Sequence, residues 1–200
     1  MKASRQLLAL AAAAAAVFGT SIANAESTYG YNTTGAAVSA TARVAVNVTV
    51  PKVIMLRVGS DNTAVDTVAI TLTPSGVGTE GNALPFSWDG SAPTFTASTA
   101  PGLAAYAWTN VTGATLNGAV TTPDAGTTGL TAAAIDVTAS TTGTNPLPHP
   151  GTNTGTFTPV ALAPNVAYSG TWTFGLNPTA AAAAAAGTFS QTVTYTASAL

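Results

Sequence analysis

From Val38 to Val50 every even-numbered residue is apolar: Val38, Ala40, Ala42, Val44, Val46, Val48 and Val50. Between them lie Ser39, Thr41, Arg43, Ala45, Asn47 and Thr49. Strict period-two alternation places one set of side chains on each face of a β-strand and predicts a half-buried strand. Its thirteen residues, at about 3.3 Å each, span roughly 43 Å, about twice an ordinary strand. A strand this long either bends between two sheets or reaches beyond its own domain. Pro51 ends it, because proline cannot donate to a ladder.

The pattern continues along the chain. Val53 to Val58 is a nearly continuous apolar run closed by Gly59, which predicts a central strand buried on both faces. Val68, Ile70 and Leu72 alternate with threonines and an alanine and predict a strand over 67–73. Residues 74–93 are punctuated by Pro74, Gly76, Gly78, Gly81, Pro85, Asp89-Gly90 and Pro93. They read as a long loop with one short strand at Phe86–Trp88. Further strands are expected near 94–99, 104–111, 133–139 and 166–174, and Gly170 marks a bulge or a close backbone approach. Residues 141–155 are a loop by composition. One helical signal exists. Asn177 is a cap, Pro178 suits the first helical position, Ala180–Ala186 follow, and Gly187 suits the residue after the end. The last strand places Phe189, Val193, Tyr195, Ala197 and Ala199 on one face and Ser190, Thr192, Thr194, Thr196 and Ser198 on the other, with Gln191 the one break. Eight or nine strands and one short helix predict an all-β antiparallel sandwich of immunoglobulin-like Greek-key type, with a closed barrel, a small outer-membrane barrel included, as the alternative.

The first 25 residues read as an export signal. Lys2 and Arg5 form a positive n-region, Leu7–Phe18 an apolar h-region, and Ala23-Asn24-Ala25 a cleavage site. Residues 26–37 then read as a flexible N-terminal extension, and 38–200 as a single domain with no membrane span in the mature chain. The expected location is the periplasm, the cell surface or the extracellular space.

Charge is sparse. After the signal, three cations (Arg43, Lys52, Arg57) face seven carboxylates, a net of −4. Three scattered cations cannot neutralise enough phosphates for nucleic-acid binding. Roughly one residue in five of the same stretch is threonine, which favours strands and solvates a surface without charge. The chain has no cysteine, so it has neither disulfides nor thiolate chemistry.

No constellation for catalysis emerges, and no enzyme activity, cofactor or metal is expected. The single histidine, His149, sits between Pro148 and Pro150 with no acidic residue near it in sequence, and reads as a loop residue packing on or near the sandwich. Asp61-Asn62 with Asp66 lacks the glycine and terminal acid of a calcium loop. Trp108 and Trp172 lie in alternating strands beside other aromatics and read as core. Trp88, beside Asp89-Gly90, is the exposed candidate for contact with a ligand such as a sugar.

The stretch from Gly187 to Leu200 resembles the C-terminal strand of chaperone–usher pilins and of spore-coat-U-like secreted domains. In those families a glycine stands fourteen residues from the end and alternating apolar residues follow, as Gly187, Phe189, Val193 and Tyr195 do here. The departures are Ala199, where classical pilins carry an aromatic, and the missing cysteines. The Val38–Val50 segment is similar to a donor strand. The resemblance implies a non-catalytic secreted structural protein of the cell surface, a fimbrial or matrix subunit in adhesion. Its assembly would proceed by β-strand addition through Val38, Val44, Val46, Val48 and Val50. The expected partner is a second copy of the chain, in a homopolymer or homo-oligomer, or another surface protein. Two alternatives stand beside it: the same strand completes its own sheet and the protein is a monomer, or the chain is a monomeric extracellular or periplasmic module binding carbohydrate or cell-wall polysaccharide.

Overall fold

The computed structural model describes residues 27–60, 64–78, 80–124, 126–141 and 143–199. The expected export signal and Glu26 lie outside them. The chain divides into two units at Val50/Pro51.

The first unit, over its described residues 27–50, contains no helix, strand or bridge, and every residue is exposed. The chain turns back on itself around Asn32–Gly35, where Asn32 Oδ1 accepts from the Thr34 backbone amide at 2.6 Å. Across this turn Thr28 donates through Oγ1 to the Thr41 carbonyl at 2.7 Å and accepts from the Thr41 amide at 2.8 Å. The half-buried strand expected over 38–50 is not found. The alternation is present, but the segment pairs with no ladder among the described residues, so its apolar face stays uncovered. Val44, Val46, Val48 and Val50 are 71–80% exposed.

The second unit, Pro51–Leu200, is an all-β sandwich with nine strands among its described residues. They are β1 (Ile54–Val58), β2 (Leu72–Pro74), β3 (Phe95–Ala97), β4 (Leu103–Thr109), β5 (Ala114–Asp124), β6 (Ile135–Ala139), β7 (Val160–Leu162), β8 (Tyr168–Leu176) and β9 (Ser190–Ser198). A short helix, α1 (Pro178–Ala183), precedes β9. All strand pairs are antiparallel. One sheet has the order β1-β4-β8-β6, the other β7-β5-β9, and β2 and β3 form a separate pair. From β4 onward the chain changes sheet at every step to β9; with the three-residue β7 set aside, the changes that remain, β4 to β5, β5 to β6 and β8 to β9, are those of an immunoglobulin-like sandwich.

Alternation fixes what each strand buries. In β4, Ala105, Ala107 and Thr109 are buried while Tyr106 is exposed. In β8, Trp172 and Phe174 point inward. They meet Leu116 and Ala114 of β5, Val137 of β6, Leu162 of β7 and the half-buried Tyr195 and Ala197 of β9. Small alanines on β4 leave room for the Trp172 ring, which is fully buried and donates through Nε1 to the Leu147 carbonyl at 3.0 Å.

Several local expectations need correction. The 53–58 run is an edge strand, not a central one, because only Leu56 and Val58 face the core. Met55 is 55% exposed, and the Arg57 guanidinium lies 4.6 Å over the Tyr106 ring on the outer face. Trp108 shares that outer face opposite Met55, so of the two tryptophans read as core only Trp172 is. Burial alternates through Val68, Ile70 and Leu72, but ladder pairing is confined to β2. No strand forms at Phe86–Trp88. The helix caps as expected, with Asn177 Oδ1 accepting from Thr179 and Ala180 and Pro178 in the first turn, yet it stops at Ala183, before Gly187. Gly170 marks a close approach: a Cβ there would press on the Leu147 carbonyl at 3.0 Å.

Candidate assembly edge

A sandwich of two open sheets has strand edges, and each edge offers unpaired backbone groups to another chain. The four edges of the two main sheets differ. Beyond β6, loop residues 152–154 close the ladder: Val137 donates to the Thr152 carbonyl at 2.8 Å and Thr154 to the Ile135 carbonyl at 2.9 Å. The same loop covers the start of β8, through Leu147 donating to Ser169 and Ser169 donating to Asn145. The β7 edge is three residues long. The β1 edge is five residues long, and its entry is clamped by Asn110, which accepts from Val53 N–H at 2.7 Å and donates to the Pro51 carbonyl at 2.7 Å.

The β9 edge is the longest. Its nine residues pair with β5 on one side, through Ala197 opposite Leu116, Tyr195 opposite Gly118 and Val193 opposite Val120. No described residue pairs with the other side. Edge strands are usually blunted by lysine, proline or a bulge. Ser190–Ser198 contains neither a charged residue nor a proline, and the one register shift falls at its start, between Thr121 and Asp124 of β5. In a seven-stranded immunoglobulin sandwich the strand in this position has a further neighbour on the outer side.

The inward face of β9 is consequently only half buried. Phe189, Gln191, Val193, Tyr195, Ala197 and Ala199 are intermediate, while the serines and threonines between them are exposed. Gln191, the break in the apolar face, donates to Thr154 Oγ1 at 2.7 Å, and Thr154, fully buried, donates to the Ala132 carbonyl at 2.7 Å. The Gln191 Oε1 atom is buried with no hydrogen-bond partner. On the neighbouring edge, Leu56 and Val58 of β1 pack on the same core as Tyr195, Ala197 and Ala199. Two uncovered edges, one from each sheet, thus flank one side of the core.

Of the residues singled out from sequence, Val193 and Tyr195 share the inner face of β9, and Phe189 immediately precedes the strand. Gly187 lies just before it, where a Cβ would run into Thr127. Val38, Val44, Val46, Val48 and Val50 belong to the first unit and are exposed there. Trp88 stands apart in the loop between β2 and β3. It is 67% exposed, its Nε1 donates to the Ser91 carbonyl at 2.7 Å, and Phe86 nearby in sequence is 54% exposed. Asp89, beside it, accepts from the Ser91 amide at 2.9 Å, which holds its carboxyl below the usual range. Asp61 and Asn62 lie outside the described residues. Asp66 accepts from the Ser60 amide and hydroxyl at 2.5 and 2.7 Å, and these bonds hold its carboxyl below the usual range. No group of three or more metal-ligating side chains occurs among the described residues.

Two features escape the sequence reading. The first is the strand pair of β5, the longest, and β7, where no element is expected; Gly118 is required in β5 because a Cβ there would overlap the Phe157 ring. The second is the depth of the 141–155 loop. Leu147 and Pro150 are fully buried in it, and His149 is 7% exposed.

Two open depressions of about 140 and 270 Å³ lie beside α1 and between β3 and β8. Both are smaller than the roughly 300–1,000 Å³ of pockets that hold small ligands. No family model, curated protein or solved structure matches the chain.

Proposed function

We propose that this chain is a non-catalytic structural subunit that is exported and assembles by β-strand addition. The segment around Val38–Val50 of one copy adds to the β9 edge of the next. The observation that carries this reading is a complementary pair within one sequence. The compact unit has a nine-residue edge without charge or proline, whose inner face is half buried. The other unit has a run of alternating valines that are 71–80% exposed. Strand addition would satisfy both. Main-chain hydrogen bonds supply affinity, and alternate side chains pack against the half-buried inner face of the edge. Each valine transferred from water contributes about 1.5–3 kcal/mol before the cost of ordering the segment. The apparent n-region, h-region and cleavage site at 1–25 support delivery outside the cytoplasm. The low charge and abundant threonine suit a surface or matrix polymer, and the resemblance of 187–200 to pilin strands points the same way.

The test is substitution on the donor face. Val46→Asp with Val48→Asp should abolish oligomers of the 26–200 protein and leave the circular dichroism and melting of the sandwich unchanged. Oligomers that persist in the double variant would sink the strand-addition reading.

A second reading is supported by Trp88. An exposed indole whose N–H is already tied to Ser91 presents its face to solvent, as a sugar-stacking platform does. In that reading Trp88→Ala loses retention on insoluble cell-wall polysaccharide without loss of fold. Equal retention of the variant and the parent would remove it.

A further inference from the structure

His149 is held at both ring nitrogens. Nδ1 lies 2.6 Å from the Gly151 carbonyl oxygen. A carbonyl only accepts, so Nδ1 carries the proton. Nε2, 2.7 Å from the Tyr195 hydroxyl, then accepts from it. The neutral imidazole thereby ties the 141–159 loop to β9.

Its surroundings are apolar. The ring centroid of Trp172 lies 4.9 Å away edge-on, with Tyr195 at 5.4 Å, Phe157 at 5.9 Å and Phe174 at 6.3 Å. The groups that face it are therefore Trp172 and Phe174 from β8, Phe157 and the Gly151 carbonyl from its own loop, and Tyr195 from β9. None is a carboxylate or a cation. Tyr195 is the one titratable group among them, and burial pushes its phenol up, so it stays neutral through the physiological range. A proton arriving at Nε2 would meet no counter-charge, and the Tyr195 hydroxyl would have to turn from donor to acceptor.

We propose that His149 is an acid-sensitive fastener of β9: protonation at Nε2 expels the imidazole from its aromatic box and releases the last strand from the loop. The proposal deepens the strand-addition reading, since β9 is the acceptor edge there, and so makes assembly acid-labile. The fastening itself belongs to the compact unit alone.

The direction of the pH effect follows from burial, which holds the imidazole below its ordinary value, outweighing the opposing bond to Gly151. As pH falls, the unfolded chain takes up its proton first. The unfolded state then binds more protons than the folded one, so stability is present above the ordinary histidine value of about 6.5 and is lost as pH falls from there toward the folded value.

The chain has one histidine, so in tag-free protein the imidazole resonances are unambiguous. The experiment is an NMR titration of His149 with amide hydrogen exchange at pH 7.5 and 5, corrected for intrinsic exchange. The expected result is titration below the model-peptide value together with a selective loss of protection across Ser190–Ser198 relative to β4 and β8. The loss can reach about tenfold per pH unit, the limit for one proton. His149→Gln should flatten this dependence. If that variant does not fold, the parent's titration and exchange decide alone. An imidazole titrating at the peptide value, or β9 protection that does not change with pH, overturns the fastener. Absence of oligomers at pH 7.5 would instead remove the assembly reading and leave the fastener standing.

Discussion

Trp172 and Trp108 carry the same ring and lie on neighbouring strands with opposite fates. Trp172 faces Leu116, Leu147 and the loop, whereas Trp108 lies on the outer face opposite Met55. Composition and period predict which residues share a face. They do not say which face the second sheet covers, and that is decided by long-range pairing. The buried role of His149 was legible only in part. Its flanking prolines mark a loop, but nothing in them signals that Leu147 and Pro150 dive into the core beside it. Gly170 was legible as a close approach because a glycine inside an otherwise regular strand pattern needs such a reason. At this scale the prediction concerns Trp172. Its ring is fully buried and its N–H satisfied by Leu147. Trp172→Ala should cost about 3–5 kcal/mol, read as a lower urea midpoint. A change within about 0.5 kcal/mol, the range of ordinary surface substitutions, would mean that the core is organised elsewhere.

Among elements, the terminal ones were the most legible. The alternation of β9 survives residue for residue as alternating half-buried and exposed positions. The cap of α1 was readable because Asn and Pro act locally, through one side-chain acceptor and one fixed φ. Strand β5 was not, because Gly118 and Pro123 are turn residues by local rules and only the approach of Phe157 explains the glycine. The alternating run before Pro51 was legible as a pattern but not as a buried strand, since burial needs a partner that the pattern does not name. The edge of β9 yields the prediction at this scale. Thr194 and Thr196 are exposed on the strand, where lysine is the common natural guard of an open edge. Thr194→Lys with Thr196→Lys should reduce oligomerisation while changing the stability of the compact unit by about 0.5 kcal/mol or less. Undiminished oligomers at equal concentration, measured by light scattering, would move the acceptor site away from β9.

For the whole molecule, the edges of the sandwich are asymmetric. The β6 edge is closed by its own loop and the β7 edge is short, while the β1 and β9 edges flank the same side of the core without a described strand between them. The sandwich class was legible from strand number, turn spacing and the near absence of helix. The division at Val50/Pro51 was not, because alternation runs without interruption up to the proline. Assembly by strand addition requires that the chain join copies of itself. The direct measurement is size-exclusion chromatography with negative-stain electron microscopy on the 26–200 protein at neutral pH. A ladder of oligomers or thin filaments is the predicted result. A monodisperse monomer across the accessible concentration range would contradict it.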